Sequence, residues 1–136
     1  MEENDDQIIQ QLVFDFAKQA TKSEQEAHQF IIGLAKVVQE DSGKLVHFGN
    51  TLFLILVRGE GVVEIHTMSV NEESVALAKH FVQLAQYLKN IGVKVAYTYS
   101  GDAKFAAIAK RTKLPFRTQE MTLPEGEKVT AYFVEF

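Results

Sequence analysis

The chain has 136 residues, 46% of them hydrophobic, with a formal net charge of −4 and no cysteine. That length and apolar share fit one domain, residues 1–136, with a core of its own. The negative charge argues against a protein that grips nucleic acid by neutralising phosphates, and the lack of cysteine excludes disulfides, thiolate zinc sites and a cysteine nucleophile.

The start of the chain, MEENDD, is acidic where a signal peptide would be basic. The longest apolar run, LFLILV (Leu52 to Val57), suits a buried strand and is far too short to span a membrane. A soluble, cytoplasmic protein with no membrane contact is expected. DDQIIQQLVFDFAKQA places Ile8, Ile9, Leu12, Val13 and Phe16 on one side at helical spacing, which predicts a helix over about Asp5 to Ala20. Phe14 falls about 200° away from Phe16 on that helix, so one phenylalanine is expected outside the main stripe. An exposed aromatic beside Ile9 and Val13 would mark a protein contact, and the expectation is a homo-oligomer through this helix or through the C-terminal hairpin edge. SEQEAHQFIIGLAKVVQE predicts a second helix, with Ser23 and Glu26 spaced as a capping box, and Gly43 ends this helical half.

Three runs, KLVHF, TLFLILV and GVVEIHTM, are separated by Gly49-Asn50 and Gly59-Glu60-Gly61, spacers short enough for an antiparallel meander. A long helix follows from about Asn71 to Asn90, with Val75, Ala78, Phe81, Val82, Ala85 and Leu88 inward, closed by Ile91-Gly92. VKVAYTY comes after a connection of crossover length, so it is expected parallel to GVVEIHTM. GDAKFAAIAKRTK gives a shorter helix, and FRTQEMTL with KVTAYFVEF forms a hairpin around Pro124-Glu125-Gly126-Glu127. Phe81, Phe105 and Leu54 are expected to share one sheet interior. The predicted class is α/β with a mixed central sheet and element order α-α-β-β-β-α-β-α-β-β.

With a leading strand removed, this order resembles the GNAT family of N-acetyltransferases from about Lys44 to Phe136. NIGVKVAYTYSGDAKFAAIAKRTKLPFR is similar to that family's strand, helix and Leu-Gly-Phe turn, with Leu114-Pro115-Phe116 in the turn's place. The resemblance implies a loop of the form Gln/Arg-x-x-Gly-x-Gly/Ala whose amides, with the next helix's N-terminus, hold the pyrophosphate of coenzyme A. Here the loop reads Glu73-x-x-Ala76-x-Ala78, and only Ala78 fits. Glu72 and Glu73 read instead as first-turn acids that complement the helix dipole, with Ser69 or Asn71 as N-cap and Ser69–Glu72 as a capping box. Two carboxylates near a pyrophosphate cost about 4 kcal/mol per charge pair at 4 Å. The anion site is therefore expected to be filled by the protein's own carboxylates, and no cofactor is expected, with acetyl-CoA as the alternative.

Should the chain be active, the resemblance implies Glu64 as general base, with His66 beside it on the same face of its strand; Tyr97 or Tyr99, on the strand before the short helix, could approach as acid from another direction, though both read more simply as sheet formers. Met68, Ser69, Val70, Ala76 and Ala78 would then contact the cofactor. The family's acid position, counted back from Phe116, holds Arg111, within the basic cluster Lys110 to Lys113. The four histidines show no metal spacing, so no metal is expected. The function expected is a GNAT-like pseudoenzyme, a non-catalytic binding or assembly module similar to the small degenerate members of tailed-phage genomes, some of them virion components. The alternatives are an active acyl-CoA-dependent N-acyltransferase and an acidic inhibitor of a basic protein surface. A protein partner or self-association is expected, and no nucleic acid.

Overall fold

A computed structural model describes residues 2–40, 43–70 and 72–136, the side chains of residues 2–5 excepted. The elements follow the expected order: α1 (Glu2–Ala20), α2 (Glu24–Glu40), β1 (Lys44–Phe48), β2 (Thr51–Gly59), β3 (Val62–Ser69), α3 (Ser74–Asn90), β4 (Val95–Ser100), α4 (Ala103–Thr112), β5 (Arg117–Thr122) and β6 (Lys128–Glu135). The six strands hydrogen-bond in the order β1-β2-β3-β4-β6-β5. β3 and β4 pair in parallel, as the crossover length predicts, and β4–β6 and β5–β6 are antiparallel. The chain packs as two compact units, Met1–Val57 with His66–Glu72 and Arg58–Ile65 with Glu73–Phe136.

In the first unit α2 starts on the predicted capping box. The Glu26 amide donates to Ser23 Oγ at 3.1 Å, and the Glu26 carboxylate accepts from the Lys22 amide at 2.9 Å. The core gathers Leu12 and Val13 of α1, Leu52, Leu54 and Leu56 of β2, and Met68, with Phe16, Phe30 and Leu34 packed against it. The rings of Phe16 and Phe30 tie the two helices at 5.6 Å. Phe53 and Ile55, on the opposite face of β2, are buried too. A strand covered on both faces has no polar side to show, which explains the unbroken run from Leu52 to Leu56; Val57, at its end, is exposed. Phe14 lies outside the stripe and is 45% exposed.

Glu72 departs from expectation. Its Oε1 accepts from the Asn50 amide at 2.7 Å and from Thr51 Oγ1 at 3.0 Å, while the Val70 amide donates to the Asn50 carbonyl at 3.1 Å. Thr51 is wholly buried, and a buried hydroxyl without an acceptor costs about 1–3 kcal/mol. The carboxylate thus secures the β1–β2 turn, and the expected Ser69–Glu72 capping box is replaced by this non-local clasp. Asn71, the other expected cap, lies outside the described residues.

In the second unit α3 begins at Ser74, later than expected. Its N-cap is Glu73, in extended conformation, with no side-chain cap bond. The inward stripe is Ala78, Phe81, Leu84, Ala85 and Leu88. Val75 and Val82, expected inward, are exposed, because they fall on the flank of that stripe. Gly92, at φ +91°, closes the helix; its amide donates to the Lys89 carbonyl and that of Val93 to the Leu88 carbonyl. α4 starts on Asp102, whose carboxylate accepts from the Lys104 amide at 2.9 Å. Edge-on aromatic contacts join α3, α4 and the sheet: Phe81 to Phe105 at 5.5 Å, Phe105 to Tyr132 at 4.9 Å and Phe116 to Tyr132 at 5.9 Å. Leu54 does not share this interior with Phe81 and Phe105 as expected; it clusters with Leu12, Leu52 and Met68 in the first unit.

Candidate active site

The β3–β4 ladder has three rungs, Val62–Val95, Val63–Ala96 and Glu64–Tyr97. The last rung continues across the sheet, for Tyr97 is paired with Phe133 on β6 and Phe133 with Arg117 on β5. Glu64, Tyr97, Phe133 and Arg117 therefore stand in one row on one sheet face. Each touches the next. Tyr97 O–H donates to Glu64 Oε1 at 3.0 Å, the Tyr97 and Phe133 rings lie 5.6 Å apart, and the Arg117 guanidinium sits 5.8 Å over the Phe133 ring.

Glu64 is 8% exposed. A carboxylate that deep is tolerated only with partners, and its Oε1 accepts from Arg58 Nε at 3.2 Å as well as from Tyr97. Burial first, then the hydrogen bond to Glu64, push the Tyr97 phenol above the usual tyrosine range. Burial first, then the Glu64 charge, do the same to Tyr99. Both phenols keep their protons at neutral pH.

At the start of α3 the first intrahelical bond runs from the Leu77 amide to the Glu73 carbonyl at 2.9 Å. Ahead of it the amides of Ser74, Val75 and Ala76 carry no cap from the Glu73 side chain. Ala76 is half-buried and Ala78 buried, so small side chains occupy this end of the helix. A helix start is suited to an anion through its first amides and dipole.

Of the other residues singled out in the sequence, His66, Met68, Ser69 and Val70 lie in the first unit. His66, next on the Glu64 face of β3, is half-buried there. Met68 is buried in the core, and the hydroxyls of Thr67 and Ser69 are buried without a hydrogen-bond partner among the described residues. Val70 uses its amide on Asn50. Arg111 is exposed on the last turn of α4. Among the described residues no three His, Asp or Glu side chains gather as a metal site, and no helix is long and apolar enough to cross a membrane.

Solved structures align with the chain across most of its length. A probable GNAT-family acetyltransferase from Chromobacterium violaceum is 18% identical, with a TM-score of 0.63 over 85% of this chain and 70% of that one. RimL, a ribosomal-protein α-N-acetyltransferase in complex with coenzyme A, is 15% identical at a TM-score of 0.62, over 93% and 85% of the two chains. A microcin self-immunity acetyltransferase in complex with acetyl-CoA and AMP is 15% identical at 0.61, over 95% and 83%. The chain has the GNAT acyltransferase fold. No protein-family model matches the sequence, and no curated protein matches it.

These GNAT neighbours overturn the expectation of no cofactor, since two of them are complexes with coenzyme A or acetyl-CoA. That expectation rested on carboxylates filling the anion site. Glu72 is instead bound to Asn50 and Thr51, and Glu73 makes no side-chain cap. Arg58 is the member of this cluster that the sequence reading missed, and Tyr97, weighed there only as an acid, is bonded to Glu64. Tyr97 read as a sheet former, and its role follows only from the rung that sets it opposite Glu64.

Proposed function

We propose that the protein is an acyl-CoA-dependent N-acyltransferase. The observation that carries this reading is the buried Glu64 carboxylate at the last rung of the parallel ladder, paired with Arg58 and Tyr97 in a fold whose neighbours hold coenzyme A. The first amides of α3 are the groups that would receive the cofactor's pyrophosphate, with Ala76 and Ala78 leaving room for it. When bound, acyl-CoA supplies an activated thioester. Glu64 takes the proton of the acceptor amine, held in orientation by Arg58 and Tyr97. Tyr99, protonated at neutral pH, is the acid for the departing thiolate.

The test is release of free thiol from acetyl-CoA with a panel of primary amines. Turnover in the wild type that falls at least about a hundredfold in Glu64→Gln matches the usual contribution of a general base. Equal turnover in both would remove Glu64 from the chemistry. A second reading has its own support: Glu73 and Ala76 stand where the family's loop has a cation or amide and a glycine. On that reading the chain binds acyl-CoA without transferring the acyl group, and thiol release is absent although cofactor binds.

A further inference from the structure

Charge is unevenly distributed along the chain. Residues 74–119 carry eight Lys or Arg and one acid, Asp102, a balance of +7. The rest of the chain, with six Lys or Arg and seventeen acids, carries −11. The basic stretch contains α3 and α4, which meet through Phe81 and Phe105. Both helices turn their apolar sides inward, so Lys79 and Lys89 of α3, Lys104, Lys110 and Arg111 of α4, and Lys113 at its end are exposed. None of these six has an ion pair among the described residues. Cations in a helix's last turn answer its dipole, which accounts for Lys89, Lys110 and Arg111. It does not account for Lys79 in the middle of α3, nor for Lys104 in the first turn of α4, where the dipole disfavours a cation.

A cationic face this poor in acids is complementary to an anionic partner. A nucleic acid or an anionic membrane extends well beyond two short helices and would meet the field of the remaining −11 charges, a repulsion that a short segment escapes. The aromatic rings of the two helices, Phe81, Tyr87 and Phe105, are buried or half-buried and offer a base no stacking face. Val75 and Val82, at 63% and 41% exposure, flank Lys79 at helical spacing and give apolar side chains a footing between the cations. We propose that the outer face of α3 and α4 docks an acidic segment of a partner protein in which carboxylates alternate with apolar side chains.

Fluorescence anisotropy of a labelled synthetic peptide of alternating Glu and Leu, titrated with the full chain, tests it. Binding should saturate and should weaken as salt shortens the reach of the charges. Lys104→Glu with Arg111→Glu should weaken it at least about tenfold. Both positions are exposed, and a glutamate in the first turn suits the dipole of α4, so this variant keeps its fold; melting curves check that. Lys18→Glu with Lys22→Glu, in the first unit, should leave the affinity unchanged. Val75→Ser with Val82→Ser should weaken the Glu-Leu peptide but not one of alternating Glu and Ser. No binding at low salt, or an equal loss from the Lys18 and Lys22 reversals, would overturn the proposal. So would tighter binding of duplex DNA or of phosphatidylserine vesicles. Displacement of the peptide by millimolar coenzyme A would assign these cations to the cofactor's phosphates and overturn it as well.

Discussion

Glu64 and Glu72 show how position decides what a carboxylate does. Both were singled out in the sequence, one as a base and one as a helix cap. Glu64 shares a rung with Tyr97 and is bound by Arg58. Replacing it with Gln removes the negative charge that helps raise the Tyr97 and Tyr99 phenols, so their ionisation should move to lower pH. Ultraviolet titration of the four tyrosines reads this directly; an unchanged profile would mean the pair does not form. The sign for stability follows. A phenol whose folded value lies above its unfolded one stabilises the fold at pH below the unfolded value. That contribution is lost as pH rises through the folded value, so the wild type should lose stability in strong alkali. Glu72 carries a different prediction. Glu72→Ala leaves the Asn50 amide and the buried Thr51 hydroxyl without their acceptor and should cost about 1–3 kcal/mol in urea unfolding. Glu72→Gln, which keeps an acceptor oxygen, should recover most of it. Equal losses would assign the effect to charge.

At the scale of elements, the order was legible because turn residues sit between strands at short spacing and the apolar period changes cleanly from 3.6 to 2. Gly49-Asn50, Gly59-Glu60-Gly61 and Ile91-Gly92 each fall at a junction the structure keeps. The start of α3 was not legible. Glu72 acts on residues more than twenty positions earlier, a contact that no local spacing reports, and helical periodicity ran on into Val75 although that residue is exposed. The site was half legible for a similar reason. Alternation along β3 isolates Glu64, but Arg58 and Tyr97 join it through strand register, which the sequence does not print. The inward face of α3 gives a prediction at this scale. Phe81 is 7% exposed and meets Phe105 edge-on, so Phe81→Ala should lower stability by about 3–5 kcal/mol. A loss below about 1 kcal/mol would place another face of α3 against the sheet.

For the whole molecule, the GNAT fold is kept although identity to the three solved structures compared above is 18% or below. Layered packing needs only apolar residues at the right period, and many sequences satisfy that requirement. Function makes narrower demands, and fold alone does not meet them. On the proposed function, the start of α3 receives an acyl-CoA pyrophosphate despite the nearby Glu73. Calorimetric titration of the wild type with coenzyme A, beside Glu73→Arg, tests that most directly. Saturable binding at one site, tightened about tenfold or more by the reversal of charge at Glu73, is the predicted result. No heat of binding in either protein up to millimolar coenzyme A, with no rise in melting temperature, would contradict it.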